Sequence, residues 1–97
     1  MAVSERLKQL RAEFAVSAEQ LVFMEDDAED KRLRSLVAET PIAEFEAREA
    51  TRHSTALAEF QSELARSIRE LEIEQDSLLD RMAAELLPQE NVGVKYD

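Results

Sequence analysis

The sequence has very few of the residues that form tight turns, disulfides and thiolate metal sites. Its 97 residues include one glycine, two prolines, no cysteine and no tryptophan. An average chain of this length has about seven glycines, so the sequence argues against a β-sandwich or β-barrel, whose many tight turns require positive φ angles. The absence of cysteine excludes disulfides, thiolate metal sites and a cysteine nucleophile.

Long apolar runs and an excess of positive charge are also missing. The sequence has no run of about 18 apolar residues, so it predicts no membrane span, and residues 1–8 lack the apolar centre of a signal peptide. The formal charge of −10 argues against nucleic acid or an anionic membrane as a partner, because phosphate binding requires clustered lysine and arginine. We therefore expect a cytoplasmic protein that binds neither.

The composition that remains, 44% apolar and 35% charged, is typical of long helices and coiled coils. Thr40 and Pro41 form an N-cap followed by proline at the first helical position. Because proline disfavours helix in the residue before it and removes a backbone donor, Pro88 should end the second helix. The sequence thus predicts a helical hairpin over residues 1–87, with helix 1 at about 4–39, a turn near 39–41 and helix 2 at about 41–87, followed by a flexible tail at 88–97.

Each predicted helix carries a stripe of mainly apolar residues. The stripe of helix 1 contains Val3, Leu7, Leu10, Phe14, Ala18, Leu21, Glu25, Ala28, Arg32 and Leu36, and that of helix 2 contains Ile42, Glu46, Ala50, His53, Leu57, Phe60, Leu64, Ile68, Leu71 and Gln75. Both advance by about 3.67 residues per step, near the period of a straight helix. When the helix 1 stripe is read towards the N-terminus and the helix 2 stripe towards the C-terminus, their residues pair at equal sequence distances from residue 39, where the turn should lie. This predicts an all-α, antiparallel two-helix hairpin with Arg32 facing Glu46 and Glu25 facing His53.

An acidic stretch in helix 1, residues 25–30, is the segment least suited to a helix, since aspartate is a poor helix former. Asp27 with Lys31 and Asp30 with Arg34 form i,i+4 pairs in the favourable orientation. We therefore expect the helix to continue through this stretch.

Several apolar residues have no partner in a single hairpin. The end of helix 2 lies beyond the reach of helix 1, and leaving its large side chains in water forgoes about 1.5–3 kcal/mol each. Two residues one heptad apart lie opposite the helix 1 stripe. We expect a two-fold dimer that forms a four-helix bundle. Its candidate interface residues are Val16, Phe23, Leu78, Leu79, Met82, Leu86 and Leu87.

His53, the only histidine, lies in the helix 2 stripe one turn after Glu49 and is expected to face Glu25. Two carboxylates and an imidazole are a ligand set that binds divalent metals. The alternative is a Glu–His hydrogen bond that fixes the register of the hairpin, as buried polar residues do in coiled coils. The sequence favours the hydrogen bond, and we expect no cofactor.

No serine in the sequence is accompanied by a nucleophile-elbow glycine or a second histidine, so we expect no catalysis. The favoured function is a structural or protein–protein interaction module, built on a self-associating hairpin. One alternative is a metal-binding carboxylate bundle using Glu25, Glu49 and His53. Another is an acidic regulator that binds a basic protein through the glutamates at the hairpin tip: Glu39, Glu44 and Glu46. The tail, with alternating Val92, Val94 and Tyr96, is either a frayed end or a docking strand.

Overall fold

The chain forms a helical hairpin in a computed structural model, which describes the backbone of residues 2–95 and the side chains of residues 2–86. Helix α1 spans Ala2–Ala38 and helix α2 spans Pro41–Lys95. The two helices pack antiparallel along a rod that measures 87 × 17 × 13 Å. This confirms the predicted all-α hairpin. Neither helix, over the residues described, has a segment long and apolar enough to cross a membrane.

The turn between the helices has the predicted local chemistry. The Thr40 Oγ1 accepts a hydrogen bond from the backbone N–H of Ala43 at 3.2 Å, which makes Thr40 the N-cap of α2. Glu39 adopts a left-handed φ of 53°, and its N–H donates to the Ser35 carbonyl at 3.0 Å. That bond closes α1 in the αL capping motif. One left-handed residue and one N-cap therefore reverse the chain.

The acidic stretch of α1 remains helical, as predicted. The Lys31 ammonium lies 3.0 Å from the Asp27 carboxylate, and the Arg34 guanidinium lies 3.0 Å from the Asp30 carboxylate. Both expected i,i+4 pairs are present. Exposed pairs of this kind contribute about 0.3–0.5 kcal/mol each, which offsets part of the low helix propensity of aspartate.

Helix α2 is longer than the sequence predicts, and the predicted end near Leu87 is corrected. The helix passes Pro88 and ends at Lys95. Proline removes one backbone donor, but its fixed φ of about −65° is compatible with helical geometry, so the residues after it can remain helical. The backbone of the predicted tail is thus helical as far as Lys95. The side chains of residues 87–97, and the whole of residues 96 and 97, lie outside the described part of the chain.

The large side chains of the core lie in the half of the hairpin away from the turn, which we call the open end. Leu7 is 1% exposed and Leu10 is also buried, and Leu64 is buried on α2. Ile68 and Leu71 are half-buried beside them. These residues belong to the predicted stripes, so the predicted seam is confirmed at the open end.

In the half that includes the turn, which we call the tip half, the seam differs from the prediction. Leu36 and Ile42 are exposed. Small side chains take up most of the inner positions near the turn, and of these only Ala50 belongs to the predicted stripe: Ser35, Ala43, Ala47, Ala50 and Ser54. Small residues let two helix backbones approach closely, as the very short turn requires. The large side chains near the turn consequently lie outside the seam.

Candidate functional site

The hairpin has two broad faces that differ in chemistry. One face carries two grooves, and both helices contribute to each of them. The residues that line it are spaced by three, four or seven positions and so share one side of their helix. We call it the groove face, and its main side chains are Val16, Gln20, Met24, Asp27, Lys31, Phe45, Glu49, His53 and Phe60.

The groove nearer the turn, the tip groove, has a volume of about 280 Å³. Met24 of α1 and Phe45 of α2 supply its large apolar side chains, with Ala50 at its floor. Charged groups, among them Lys31, line its edges. This mixture of an apolar floor and a charged rim is typical of protein–protein contact surfaces.

The second groove, the middle groove, has a volume of about 350 Å³ and is lined by Val16 and Phe60 together with smaller and polar residues. Phe45 is 55% exposed and Phe60 is 46% exposed. Two aromatic rings half in water on one face of a small protein are unusual, because aromatic burial dominates the energetics of cores and interfaces. The groove face is therefore the strongest candidate for a contact surface.

The opposite face, which we call the polar face, has a different lining. Its two grooves are lined by Arg32, Ser35, Glu44, Ala47, Arg48, Thr51 and Arg52, and by Glu25, Ser54, Thr55, Ala58, Glu59 and Ser62. None of these side chains is a large apolar one. These two grooves are suited to contact with water, whereas those of the groove face contain aromatic side chains, so the two faces of the hairpin are not equivalent.

Two polar contacts join the helices at the open end. The Arg11 guanidinium lies 2.8 Å from the Glu72 carboxylate, and the Gln75 Nε2 donates to the Ser4 Oγ at 3.0 Å. Both contacts are exposed and contribute about 0–1 kcal/mol each. Their main consequence is geometric: Gln75 lies beside the first turn of α1, so most of α2 after it extends beyond α1.

The candidate metal ligands are not brought together. The His53 Nε2 lies 3.9 Å from the Glu49 Oε2, and Glu49 also accepts a hydrogen bond from Arg52. Glu25 lines a groove on the polar face, whereas His53 is exposed on the groove face. The predicted contact between Glu25 and His53 is therefore wrong. Among the residues that the structure describes, no three histidine or acidic side chains form a group able to hold a metal ion.

The reason for this error is the rotation of the seam near the turn. Ala50 and Ser54 occupy the inner positions of α2, and His53 lies to one side of them. The Glu49–His53 contact consequently lies within one helix and cannot fix the register between helices. At 3.9 Å the contact with Glu49 is also too long for a hydrogen bond, so the predicted Glu–His hydrogen bond is not found.

The predicted pairing of Arg32 with Glu46 is also wrong. Arg32 binds Glu29 at 2.7 Å within α1, while Glu46 lines the tip groove on the other face. The hydrogen bond from Arg32 lowers the pKa of the Glu29 carboxyl below its ordinary value; desolvation opposes this, and the positive charge of Arg32 adds a smaller lowering effect. The same hydrogen bond raises the pKa of Arg32. Arg32 therefore stabilises α1 alone.

Most of the predicted interface residues are exposed. Val16 lines the middle groove, and Phe23, seven positions later on the same side of α1, is exposed. On α2, Leu79, Met82 and Leu86 are exposed, while Leu78 is half-buried and the Leu87 side chain lies outside the described residues. That these residues form a dimer interface remains a prediction.

The sequence did not single out Met24 and Phe45, the large apolar residues of the tip groove. Phe60 was assigned to the seam, whereas nearly half of its surface is exposed. One signal in the sequence could have revealed the groove face. Near the turn, α2 has two stripes at helical spacing that could each face α1, one with small side chains and one with large side chains. A short turn favours the small set on the inside.

Comparison with known proteins adds no assignment, because no family model, curated protein or solved structure matches the chain.

Proposed function

We propose that the chain is a non-catalytic structural or protein–protein interaction module that works as a self-associated helical hairpin. The observation that carries the proposal is the exposed surface of one chain, 7668 Å². A compact monomer of 11.1 kDa exposes about 5,700 Å². The excess is about 2,000 Å², within the range of about 1,000–2,500 Å² that each partner of an obligate homodimer buries.

The distribution of that surface supports a second copy as the partner. A single two-helix hairpin has a seam but no enclosed interior, whereas two hairpins form a four-helix bundle with one. The groove face supplies the side chains that such an interior needs. Covering the exposed parts of Val16, Phe45 and Phe60 would contribute about 1 kcal/mol for each residue in each chain. The polar faces would then point to water.

Sedimentation velocity across a range of micromolar concentrations tests the proposal. We expect the natural chain to sediment as a dimer. Phe45→Glu and Phe60→Glu should each weaken the dimer at least about thirtyfold, since a two-fold interface contains each substituted residue twice and so loses about 2 kcal/mol. Thr55→Glu is the matched control, because it adds the same charge to the same helix on the polar face. It should leave the dimer intact.

Two results would contradict the proposal. One is a natural chain that sediments as a monomer at every concentration, with helix content independent of dilution. The other is an equal effect of Phe60→Glu and Thr55→Glu, which would mean that added charge, and not loss of an apolar contact, separates the copies. No residue is assigned a catalytic role in this proposal.

A further inference from the structure

The end of α2 has no partner helix within the described part of the chain. Helix α1 begins at Ala2 and its Ser4 contacts Gln75, so residues 78–95 extend about 27 Å beyond the start of α1. We call residues 76–95, which include the last two positions beside α1, the overhang. Leu79, Met82 and Leu86 are 52%, 55% and 67% exposed. Their spacing of three and four positions places them on one side of the helix.

The opposite end of the same hairpin offers a surface of matching length. The apolar side chains of α2 on the groove face extend from Ile42 to Phe60, about 27 Å along the helix axis. The tip groove lies within this range, between Phe45 and His53. One chain therefore carries an apolar helix end without a partner helix at one end and, at the other end, a stretch of exposed apolar side chains of similar length that includes the tip groove.

We propose that the overhang of one copy lies in the tip groove of a second copy, and that the second copy's overhang lies in the tip groove of the first. This inference rests on the proposed function. The two α2 helices are antiparallel, with Leu86 of each copy near Phe45 of the other, which places the two-fold axis near Arg66. The middle grooves, with Val16 and Phe60, then lie on either side of the axis. The dimer has four helices at its centre and three at each end.

Two observations favour a second copy over a different protein as the occupant. The overhang and the apolar stretch of the groove face from Ile42 to Phe60 are of similar length, and they occur in one chain at opposite ends. The exposed surface exceeds that of a compact monomer by an amount that a homodimer interface accounts for.

Distances between spin labels distinguish this arrangement from other dimers. The chain has no cysteine, so Glu44→Cys, Arg66→Cys and Asp80→Cys each introduce one label at an exposed position. We expect the Arg66 labels of the two copies to lie within about 35 Å and the Glu44 labels to lie about 65 Å apart. A mixture of the Glu44→Cys and Asp80→Cys chains should give a distance below about 35 Å.

Other outcomes would overturn the inference. In a parallel dimer both the two Glu44 labels and the two Asp80 labels lie close together. In a dimer centred on the tip grooves, the Asp80 labels lie more than about 80 Å apart. Either result contradicts the overhang contact but leaves the proposed function intact. If no distance between labels on different copies is measured, both the overhang contact and the proposed function are contradicted.

A substitution in the overhang gives an independent measurement. Met82→Glu should raise the dissociation constant of the dimer at least about tenfold, with helix content unchanged by circular dichroism. Ser77→Glu adds the same charge to the opposite side of the overhang and should change the dissociation constant less than about twofold. If Met82→Glu has no effect while Phe45→Glu separates the copies, the tip groove has a different occupant.

Discussion

Glu39 is the one residue other than glycine for which the described backbone has a positive φ, 53°. It reverses the chain between two long helices, so its conformation is fixed by both of them. We predict that Glu39→Gly stabilises the protein. Glycine has no Cβ and adopts the left-handed region without the clash that a side chain causes there.

The size of the effect follows from two opposing quantities. The left-handed conformation costs a residue with a Cβ about 1–2 kcal/mol. Glycine loses more backbone entropy on folding, which offsets about 0.5–1 kcal/mol of the stabilisation obtained by removing the Cβ. The net stabilisation is about 0.5–1 kcal/mol, which raises the melting temperature by about 2–8 °C for a chain of this size. Protein concentration must be held fixed, because association changes apparent stability.

Thermal unfolding followed by circular dichroism measures the change, and two further variants identify its cause. Glu39→Ala removes the charge but keeps the Cβ, so its melting temperature should stay near that of the natural chain. The charge itself has little net effect, since it lies between the C-terminus of α1 and the N-terminus of α2, whose dipoles act on it in opposite directions. Glu39→Asn should lie between alanine and glycine, because asparagine tolerates this region. Equal stabilisation by alanine and glycine, or destabilisation by glycine, would refute the reasoning.

Three other predictions test the core, a local ion pair and the long-range electrostatics. Leu7→Ala should cost about 3 kcal/mol in urea unfolding because Leu7 is the largest fully buried side chain described, whereas Leu33→Ala at an exposed position should cost less than about 0.5 kcal/mol. The pKa of Glu29, followed by NMR, should lie below that of other exposed glutamates and rise in Arg32→Gln; its stabilising effect is present above the ordinary carboxyl pKa and is lost as the pH falls through the lowered value. Added salt should strengthen the dimer, because each copy carries a charge of −10 and salt screens their repulsion, and a dimer that salt weakens would contradict this.

The parts of the fold that follow from local chemistry could be predicted from the sequence. Thr40 and Pro41 determine where α2 begins, and that position does not depend on the rest of the protein. At the open end, the large apolar residues lie on a single side of each helix, so Leu7, Leu10 and Leu64 had no competing positions. Pattern alone was sufficient there because only one arrangement removes these side chains from water.

Near the turn the pattern allowed two arrangements, and apolarity alone did not choose between them. Leu36 has Ser35 beside it, and Ile42 has Ala43 beside it, so a rotation of each helix by about one position exchanges a large inner residue for a small one. The choice depends on how closely the backbones approach, which the two-residue turn determines. The candidate metal group depended on the wrong choice, since it required His53 on the inside.

The same cause explains both the weak interior of the tip half and the apolar surface outside it. A seam of alanine and serine removes little surface from water, and at about 25 cal/mol per Å² its contribution to stability is correspondingly small. The large side chains displaced from that seam, Phe45 among them, form the tip groove. A chain with this turn therefore loses apolar burial within one copy at the place where it gains an apolar surface for another. On this reasoning, the small side chains in the seam both lower the stability of the tip half and leave the large side chains exposed for association with a second copy.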